Sequence, residues 1–196
     1  YNIIELVRPD VIFEELNQDL FDKFYKDNKI PYETPEIKSV KKYIKDHAIN
    51  HVPVDINLSD ALSADQINYM FNVFKKHTLY SLLEEERRRL VFEFWYSFLN
   101  SKKNEELTDK MKSFEKSLIQ FQVNKGQLSR THEMFYEEQH KREDEMIKNI
   151  YNYSKKTAYN QALLLIGSGH RKTICEKIKK HDTENHVKLK WTLFGN

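Results

Sequence analysis

The sequence is poor in residues that interrupt regular structure or cross-link a chain. It has four glycines, four prolines and one cysteine among 196 residues. The single cysteine, Cys175, excludes an internal disulfide framework and indicates a reducing compartment, so we expect a cytoplasmic protein. No stretch approaches the roughly 18 to 20 apolar residues of a membrane span. The chain opens on Tyr1 and not on methionine, which leaves open that natural residues precede it.

The net charge is also small. Thirty-two basic and 30 acidic residues give a formal charge of +2, and the two signs are interspersed. This balance gives little support for nucleic acid or lipid headgroups as partners, and we expect no nucleic-acid binding. Aromatic residues are plentiful, with 12 Phe, 11 Tyr and 2 Trp, which argues against disorder. A chain of this length fits one domain, residues 1–196, with a sizeable core.

The first 56 residues alternate between helical and strand patterns. Residues 1–8 resemble the end of a helix, and a Pro-Asp turn leads into the strand VIFEE. Helices are predicted over 17–29 and 36–49. The segment 51–56, HVPVDI, is predicted to be an edge strand or the start of a strand, because its proline cannot donate to a central ladder. This order favours parallel β/α units.

Two acids, Glu14 and Glu15, end the first strand. Alternation places them on opposite faces, so one should point to solvent and the other into whatever lies past the strand end. A helix N-terminus, where acids are favoured by the dipole, is the alternative interpretation for both.

Residues 59–158 contain one glycine, no proline and helical periodicity throughout. A capping box at Ser63 begins the first of four predicted helices, which cover 64–77, 81–100, 105–123 and 128–157. We interpret this block as an all-helical insertion into an α/β core formed by 1–58 and 159–196. The aromatic side chains of the second helix, Phe94, Trp95 and Phe98, are predicted to pack in the helical core.

The most distinctive stretch is QALLLIGSGHRKTICE, residues 161–176. It predicts a buried strand, a tight turn and a helix over 173–181. Gly167 and Gly169 would permit a turn that a side chain would obstruct. His170 then lies where open α/β sheets bind their ligands, with a capping histidine as the alternative. Backbone N–H groups of 168–172 could also bind an anion with help from Arg171 and Lys172.

Familiar catalytic motifs are not matched. The GSGH stretch lacks the spacing of a dinucleotide fingerprint, a P-loop or a nucleophile elbow. Glu137 and His140 have the spacing of one half of a di-iron site, but no second Glu-x-x-His accompanies them, so a solvated helix face is the better account. The last segment, 186–194, alternates apolar and polar residues and is predicted to be a closing strand, antiparallel at the sheet edge.

Three motifs taken together resemble the TraB/TIKI family of the erythromycin-esterase-like and ChaN-like superfamily. They are the strand PDVIFEEL at 9–16, the arginine and methionine of REDEM at 142–146, and LIGSGH at 165–170. The strand HVPVDI, with Asp55 at its end, resembles the intervening family strand. We therefore expect an α/β protein with a small, mostly parallel sheet, flanking helices and the large helical insertion.

The resemblance implies a metal-dependent hydrolase that acts on a peptide, amide or ester bond of a peptide or small-molecule substrate. Its implied catalytic residues are Glu15, Arg142 and His170, and Glu15 and His170 would bind Mn, Co or Zn. Substrate-binding residues would be Gly167, Ser168, Gly169, Arg171 and Asp55. For Arg142, an ion pair with a neighbouring helix acid is the alternative. A homodimer also stays open.

The sequence departs from the family pattern in one respect. A first G-x-x-H motif, which the family carries on an N-terminal strand, is not found here. Either that strand lies upstream of Tyr1, or this member has lost it, and the loss would remove hydrolysis. The alternative function is therefore a non-catalytic binding or regulatory protein that uses the GSGH corner for an anion or peptide. A third hypothesis, a stand-alone helical interaction protein, requires that no sheet join residues 10–15 to 162–167.

Overall fold

The computed structural model describes residues 1–27, 32–57, 61–184 (the backbone alone for 182–184) and 187–194. The chain forms two compact units, each assembled from three segments. The sheet unit consists of Tyr1–Asn57, Arg142–Gly167 and Glu176–Lys188, and the helical unit of Leu58–Lys141, Ser168–Cys175 and Leu189–Asn196.

A three-stranded parallel sheet is the centre of the sheet unit. Its strands are β1 (Val11–Glu14), β2 (Asn50–Pro53) and β3 (Ala162–Leu165), in the order β2-β1-β3. All four residues of the central strand β1 are buried, as expected for a strand covered on both faces. These strands and their flanking helices confirm the predicted α/β class. The strand predicted within 51–56 is found at Asn50–Pro53, at the edge of the sheet. The β1–β3 pairing also excludes a purely helical protein.

Asp10 determines how β3 enters the sheet beside β1. Its carboxylate accepts hydrogen bonds from the backbone N–H groups of Asn160 at 2.8 Å and Gln161 at 3.0 Å. Its own N–H donates to the Gln161 carbonyl at 2.8 Å. The hydrogen bonds from Gln161 and Asn160 lower the pKa of the Asp10 carboxyl below its usual 3.8. This side chain therefore supports the register in which Val11 pairs with Ala162.

Three helices of the sheet unit come from the N-terminal segment: α1 (Asn2–Val7), α2 (Gln18–Tyr25) and α3 (Pro35–Asp46). Asn17 caps α2 and Thr34 caps α3, where Pro35 occupies the first turn. One face of β1 packs through Ile12 against Ile4 of α1 and Val40 of α3. The opposite face presents Phe13, whose ring lies edge-on to the ring of Tyr153 at 5.4 Å.

Helices account for most of the helical unit. They are α4 (Ala64–Lys75), α5 (Thr78–Leu99), α6 (Lys102–Gln120) and the beginning of α7 (Lys125–Ser154), whose residues from Arg142 onwards belong to the sheet unit. The capping box predicted at Ser63 is confirmed, because Ser63 and Gln66 exchange both hydrogen bonds. Met70, Phe74, Leu118 and Leu128 are among the residues of the main core cluster. Across the described ranges, no helix is both long and apolar enough to cross a membrane.

The predicted packing of α5 is wrong at its C-terminal end. Leu83, Leu90 and Phe98 are buried as expected, but Phe94 and Trp95 are exposed. Trp95 has a positive φ of 49° and marks a kink inside the helix. The interruption falls at Trp95, directly after Phe94, and a periodicity that assumes one straight helix misassigns these two positions. Phe98, beyond the kink, is buried as predicted.

After β3, residues Ser168–His170 form one 3-10 turn and α8 (Arg171–Glu184) follows. The predicted closing strand is wrong: residues 187–194 form no strand, and residue 186 lies outside the described part. Burial still alternates here, because Val187, Leu189 and Trp191 are half-buried and the two lysines between them are exposed. Alternation of apolar and polar residues indicates which side chains are covered. It does not establish that a segment is hydrogen-bonded to a neighbouring strand.

Candidate functional site

The carboxyl ends of the three strands bring together three predicted site residues. Glu15 follows β1 directly, Asp55 follows β2, and Gly167 follows β3. Backbone hydrogen bonds hold these positions beside one another: the Glu15 N–H donates to the Leu165 carbonyl at 3.2 Å, and the Asp55 N–H to the Leu16 carbonyl at 3.1 Å. Because the strands are parallel, all three ends lie at the same edge of the sheet.

Arg142 of α7 joins the two carboxylates at this edge. Its Nη2 donates to Glu15 Oε1 at 3.0 Å, and its Nε lies 3.1 Å from each carboxylate oxygen of Asp55. Nη2 also contacts Asp55 Oδ2. Burial would lower the pKa of the Arg142 guanidinium, yet the hydrogen bond and charge of Asp55, followed by those of Glu15, raise it overall. The guanidinium therefore stays charged.

The second oxygen of Glu15 has a partner on the third strand. The Gly167 N–H donates to Glu15 Oε2 at 2.6 Å. We call Glu15, Asp55, Arg142 and the Gly167 N–H the carboxyl-edge cluster. The cluster contains two carboxylates and one guanidinium and therefore has an excess of negative charge. Solvent screens this charge little, because only 15% of the Arg142 side chain is exposed. Such a charge favours a cationic group or a hydrogen-bond donor as ligand.

Two interpretations of Arg142 were open: a catalytic residue, or an ion pair with an acid of a neighbouring helix. Its partners match neither interpretation completely. It forms ion pairs, as the structural alternative predicted, but its partners follow β-strands and are not acids of a neighbouring helix. The bidentate contact with Asp55 orients the guanidinium, whose Nη2 then donates to Glu15 at the sheet edge.

The remaining predicted residues, Ser168, Gly169, His170 and Arg171, belong to the helical unit. Ser168 Oγ accepts a hydrogen bond from Arg87 Nη2 at 3.1 Å, and Arg171 pairs with Glu105 of α6. Lys172 pairs with Asp109 at 2.7 Å. An anion at this turn would have to compete with these carboxylates. The proximity of His170 to Glu15 stays a prediction.

Gly169 does not have the steric role predicted for it. A Cβ added at this position would meet nothing within 4 Å. Because the residues from Ser168 form a 3-10 turn, the backbone here is locally helical and needs no close approach at Gly169.

Sequence analysis missed the role of Glu14. Its carboxylate, 1% exposed, accepts a 2.6 Å hydrogen bond from the Tyr25 hydroxyl and lies 3.2 Å from Nδ1 of His51. Burial and then the charge of Glu14 raise the pKa of Tyr25, which therefore remains a donor. The sequence predicted one solvent-facing acid at the strand end, and neither acid is exposed. No sequence signal pairs Glu14 with His51, because their contact depends on the β1–β2 register.

A second buried carboxylate lies in the helical unit. Glu115 of α6 accepts hydrogen bonds from Tyr80 of α5 at 2.9 Å and Tyr136 of α7 at 2.8 Å. His132 Nε2 lies 3.2 Å from the same carboxylate. A signal was available, because Glu115 interrupts the apolar stripe of Met111, Phe114, Leu118 and Ile119.

In the part of the chain that the structure describes, no group of three or more His, Cys, Asp or Glu residues is arranged to hold a metal ion. Comparisons with protein-family models, curated proteins and solved structures gave no match to this chain. Any functional assignment therefore depends on the geometry of the clusters above and on the motif resemblance.

Proposed function

We propose that this chain is a hydrolase of the TraB/TIKI type, acting on a peptide, amide or ester bond at the carboxyl edge of its parallel sheet. The observation that carries the proposal is the convergence of Glu15, Asp55, Arg142 and the Gly167 N–H at that edge. Ligands of open α/β sheets bind at the carboxyl ends of the strands. Three separate motifs of the resemblance contribute to this one cluster.

The donor chemistry of the proposed site fits a divalent metal ion. Carboxylates and a neutral imidazole are suitable ligands for Mn²⁺, Co²⁺ or Zn²⁺, and the excess negative charge of the carboxyl-edge cluster favours a cation. In the proposal, Glu15 and His170 would hold the ion. A bound ion would polarise a substrate carbonyl and lower the pKa of its water.

The chain's own contribution is the orientation of Glu15. Arg142 Nη2 fixes one carboxylate oxygen and the Gly167 N–H fixes the other. Asp55 in turn holds the guanidinium by its Nε. Glu15 therefore meets a ligand with its rotamer already fixed, which reduces the entropy lost on binding.

The test combines metal content with hydrolysis. We expect mass spectrometry of the gently purified chain to find near-stoichiometric Mn, Co or Zn, and a peptide, amide and ester screen to detect turnover that a chelator abolishes. Both signals should be lost in Glu15→Gln and in His170→Ala, without a large drop in melting temperature. His140→Ala, an exposed histidine of α7, is the matched control and should retain both.

The second candidate is a non-catalytic binding or regulatory protein. It is favoured by the ion pairs of Arg142, which already occupy Glu15 and Asp55, and by those of Arg171 and Lys172. If the chain takes up no metal even after divalent ions are added, and no substrate of the screen is cleaved, the hydrolase proposal fails. Calorimetry with peptides carrying free amino or carboxyl termini would then identify the ligand class.

A further inference from the structure

Helices α5 and α6 run antiparallel against each other inside the helical unit. The Tyr80 hydroxyl of α5 donates to Glu115 of α6 at 2.9 Å, and Arg87 Nε, two turns later, donates to Asn104 Oδ1 at 3.3 Å. An advance along α5 therefore corresponds to a retreat along α6. Side chains that flank these contacts form two facing rows, one on each helix.

A groove with a volume of about 510 Å³ lies between the two rows. On the α5 side it is lined by Leu79, Leu82, Leu83 and Glu86. Their spacing of i, i+3, i+4 and i+7 places all four on one helix face, and all precede the break at Trp95. The volume lies within the range of about 300–1,000 Å³ that is typical of small-molecule sites.

The α6 side of the groove has the same spacing. It is lined by Lys110, Ser113, Phe114 and Ser117. Because the helices are antiparallel, Glu86 and Lys110 lie at one end of the groove, and Leu79 lies at the other. The distance along α5 from Leu79 to Glu86 is about 10 Å, since a helix rises about 1.5 Å per residue. The groove is thus apolar along most of its length and charged at one end.

The charged end carries two exposed side chains of opposite sign. In the part of the chain that the structure describes, neither the Glu86 carboxylate nor the Lys110 ammonium forms a hydrogen bond or an ion pair, with each other or with another residue. Other charges of α5 are paired, since Glu84 contacts Lys75 at 3.8 Å. Glu86 and Lys110 are therefore available to a ligand that lies in the groove.

We propose that this groove binds a single small amphiphile with a zwitterionic headgroup, of which an alkylphosphocholine is an example. Charge complementarity selects the headgroup. An anionic headgroup is attracted by Lys110 but repelled by Glu86, and a cationic headgroup meets the reverse, whereas a zwitterion satisfies both charges. The alkyl chain covers Leu79 and Leu82, which are 55% and 53% exposed, and their removal from water drives binding.

The shape of the groove selects a free amphiphile and not a membrane surface. Its floor contains Leu83, which is only 9% exposed, and half-buried Phe114. A flat bilayer would contact the rims of the groove and leave this floor uncovered, whereas one alkyl chain enters it. The site lies within the helical unit and is independent of the proposed hydrolysis.

The first experiment titrates the full chain, by calorimetry, with three probes of equal chain length below their micelle concentrations. They are octylphosphocholine, octyl phosphate and octyltrimethylammonium. The zwitterionic probe should bind most tightly. Leu82→Ser should weaken the binding of all three by about fivefold, because it removes a contact with the shared chain. Phe92→Ser is the matched control: Phe92 is 84% exposed on the same helix, does not line the groove, and its loss should leave every affinity unchanged.

The second experiment tests the headgroup contacts. Glu86→Gln leaves Lys110 alone at the charged end, so the variant should bind octylphosphocholine about two- to fivefold more weakly and octyl phosphate more tightly than the wild type does. Lys110→Gln should show the opposite preference and gain affinity for octyltrimethylammonium. Glu85→Gln and Lys116→Gln, exposed changes on the same two helices outside the groove lining, should alter neither preference.

Each outcome supports the proposal or overturns it. Failure to bind octylphosphocholine up to its micelle concentration overturns it, and so does binding to phosphocholine vesicles without binding to the free probe. An order of the three probes that is the same in Glu86→Gln and Lys110→Gln shows that these charges do not select the headgroup. Weakening by Phe92→Ser as large as that by Leu82→Ser indicates unspecific adsorption to apolar surface. Circular dichroism of each variant establishes that it is folded.

Discussion

Glu14 and Glu15 are neighbours in the chain, yet their carboxylates lie in different surroundings. The Glu14 carboxylate accepts from Tyr25 and lies beside His51, whereas Glu15 is held by Arg142 and the Gly167 N–H. The difference follows from strand geometry, which directs successive side chains to opposite faces. One acid therefore stabilises the packing of α2 on the sheet, and the other is presented at the carboxyl edge.

Removal of the Arg142 side chain should destabilise the protein strongly. Arg142→Ala leaves two carboxylates beside each other without a cation, and breaking a largely buried ion pair costs about 3–5 kcal/mol. Arg142→Lys should lose less, because it keeps the charge but not the fork that contacts both acids. Urea denaturation measures the free energy of unfolding of each variant.

The control for this experiment is Arg130→Ala, an exposed arginine earlier in α7, which should change the free energy of unfolding by no more than about 0.5 kcal/mol. If Arg142→Ala proves as mild as Arg130→Ala, the carboxyl-edge cluster does not contribute to stability. The cluster would then have to be treated as a solvated surface feature.

At the scale of residues, the sequence predicted Glu15, Asp55, Arg142 and Gly167 as site residues, and the fold brings all four together. The signals were short motifs, three of them at strand ends, where position along the chain determines position in the sheet. It could not predict Tyr25 and His51 as partners of Glu14. Their contact requires the register of two strands and the packing angle of a helix, neither of which a single sequence specifies.

At the scale of elements, local signals were the most informative. The capping box at Ser63 marked a helix start, and the apolar run at 162–165 marked a strand, which is half-buried along its whole length. The kink at Trp95 was missed because helical periodicity assumes a straight helix. The unpaired segment at 187–194 was missed because alternation of apolar residues does not establish a hydrogen-bonded neighbour.

Asp10 provides a pH-dependent test of how β1 and β3 are joined. Its pKa is lowered in the folded state by hydrogen bonds from Gln161 and Asn160. A carboxyl group whose pKa is lower in the folded state stabilises the fold at pH values above its unfolded pKa of 3.8. This contribution disappears as the pH falls through the folded pKa. Asp10→Asn should therefore be less stable than the wild type at pH 7, and the difference should shrink below about pH 3.8.

Thermal unfolding followed between pH 7 and pH 2 measures this difference. Asp46→Asn, at the exposed end of α3, removes a carboxyl of the same type from a different place and should show no such convergence. If the difference in melting temperature between wild type and Asp10→Asn stays constant down to pH 2, the ionised carboxylate is not what holds β3.

At the scale of the whole molecule, the fold class followed from the order of strand and helix patterns, and it is confirmed. The hydrolase assignment stays a proposal, since it combines Glu15 with His170 through motif resemblance. Helical periodicity also could not reveal that residues 168–175 and 189–196 join the helical unit, because that grouping depends on tertiary contacts.

The charge balance predicts that the chain does not bind nucleic acid. Binding to a phosphate backbone requires several cations that are free to displace counterions. Here 32 basic residues are matched by 30 acidic ones, and Arg142, Arg171 and Lys172 are held in ion pairs. Fluorescence anisotropy of labelled duplex DNA and single-stranded RNA at about 150 mM salt should therefore show no change up to micromolar protein.

An affinity whose logarithm falls linearly with the logarithm of salt concentration would contradict this prediction. Charge-reversal variants of the exposed lysines would then locate the basic surface.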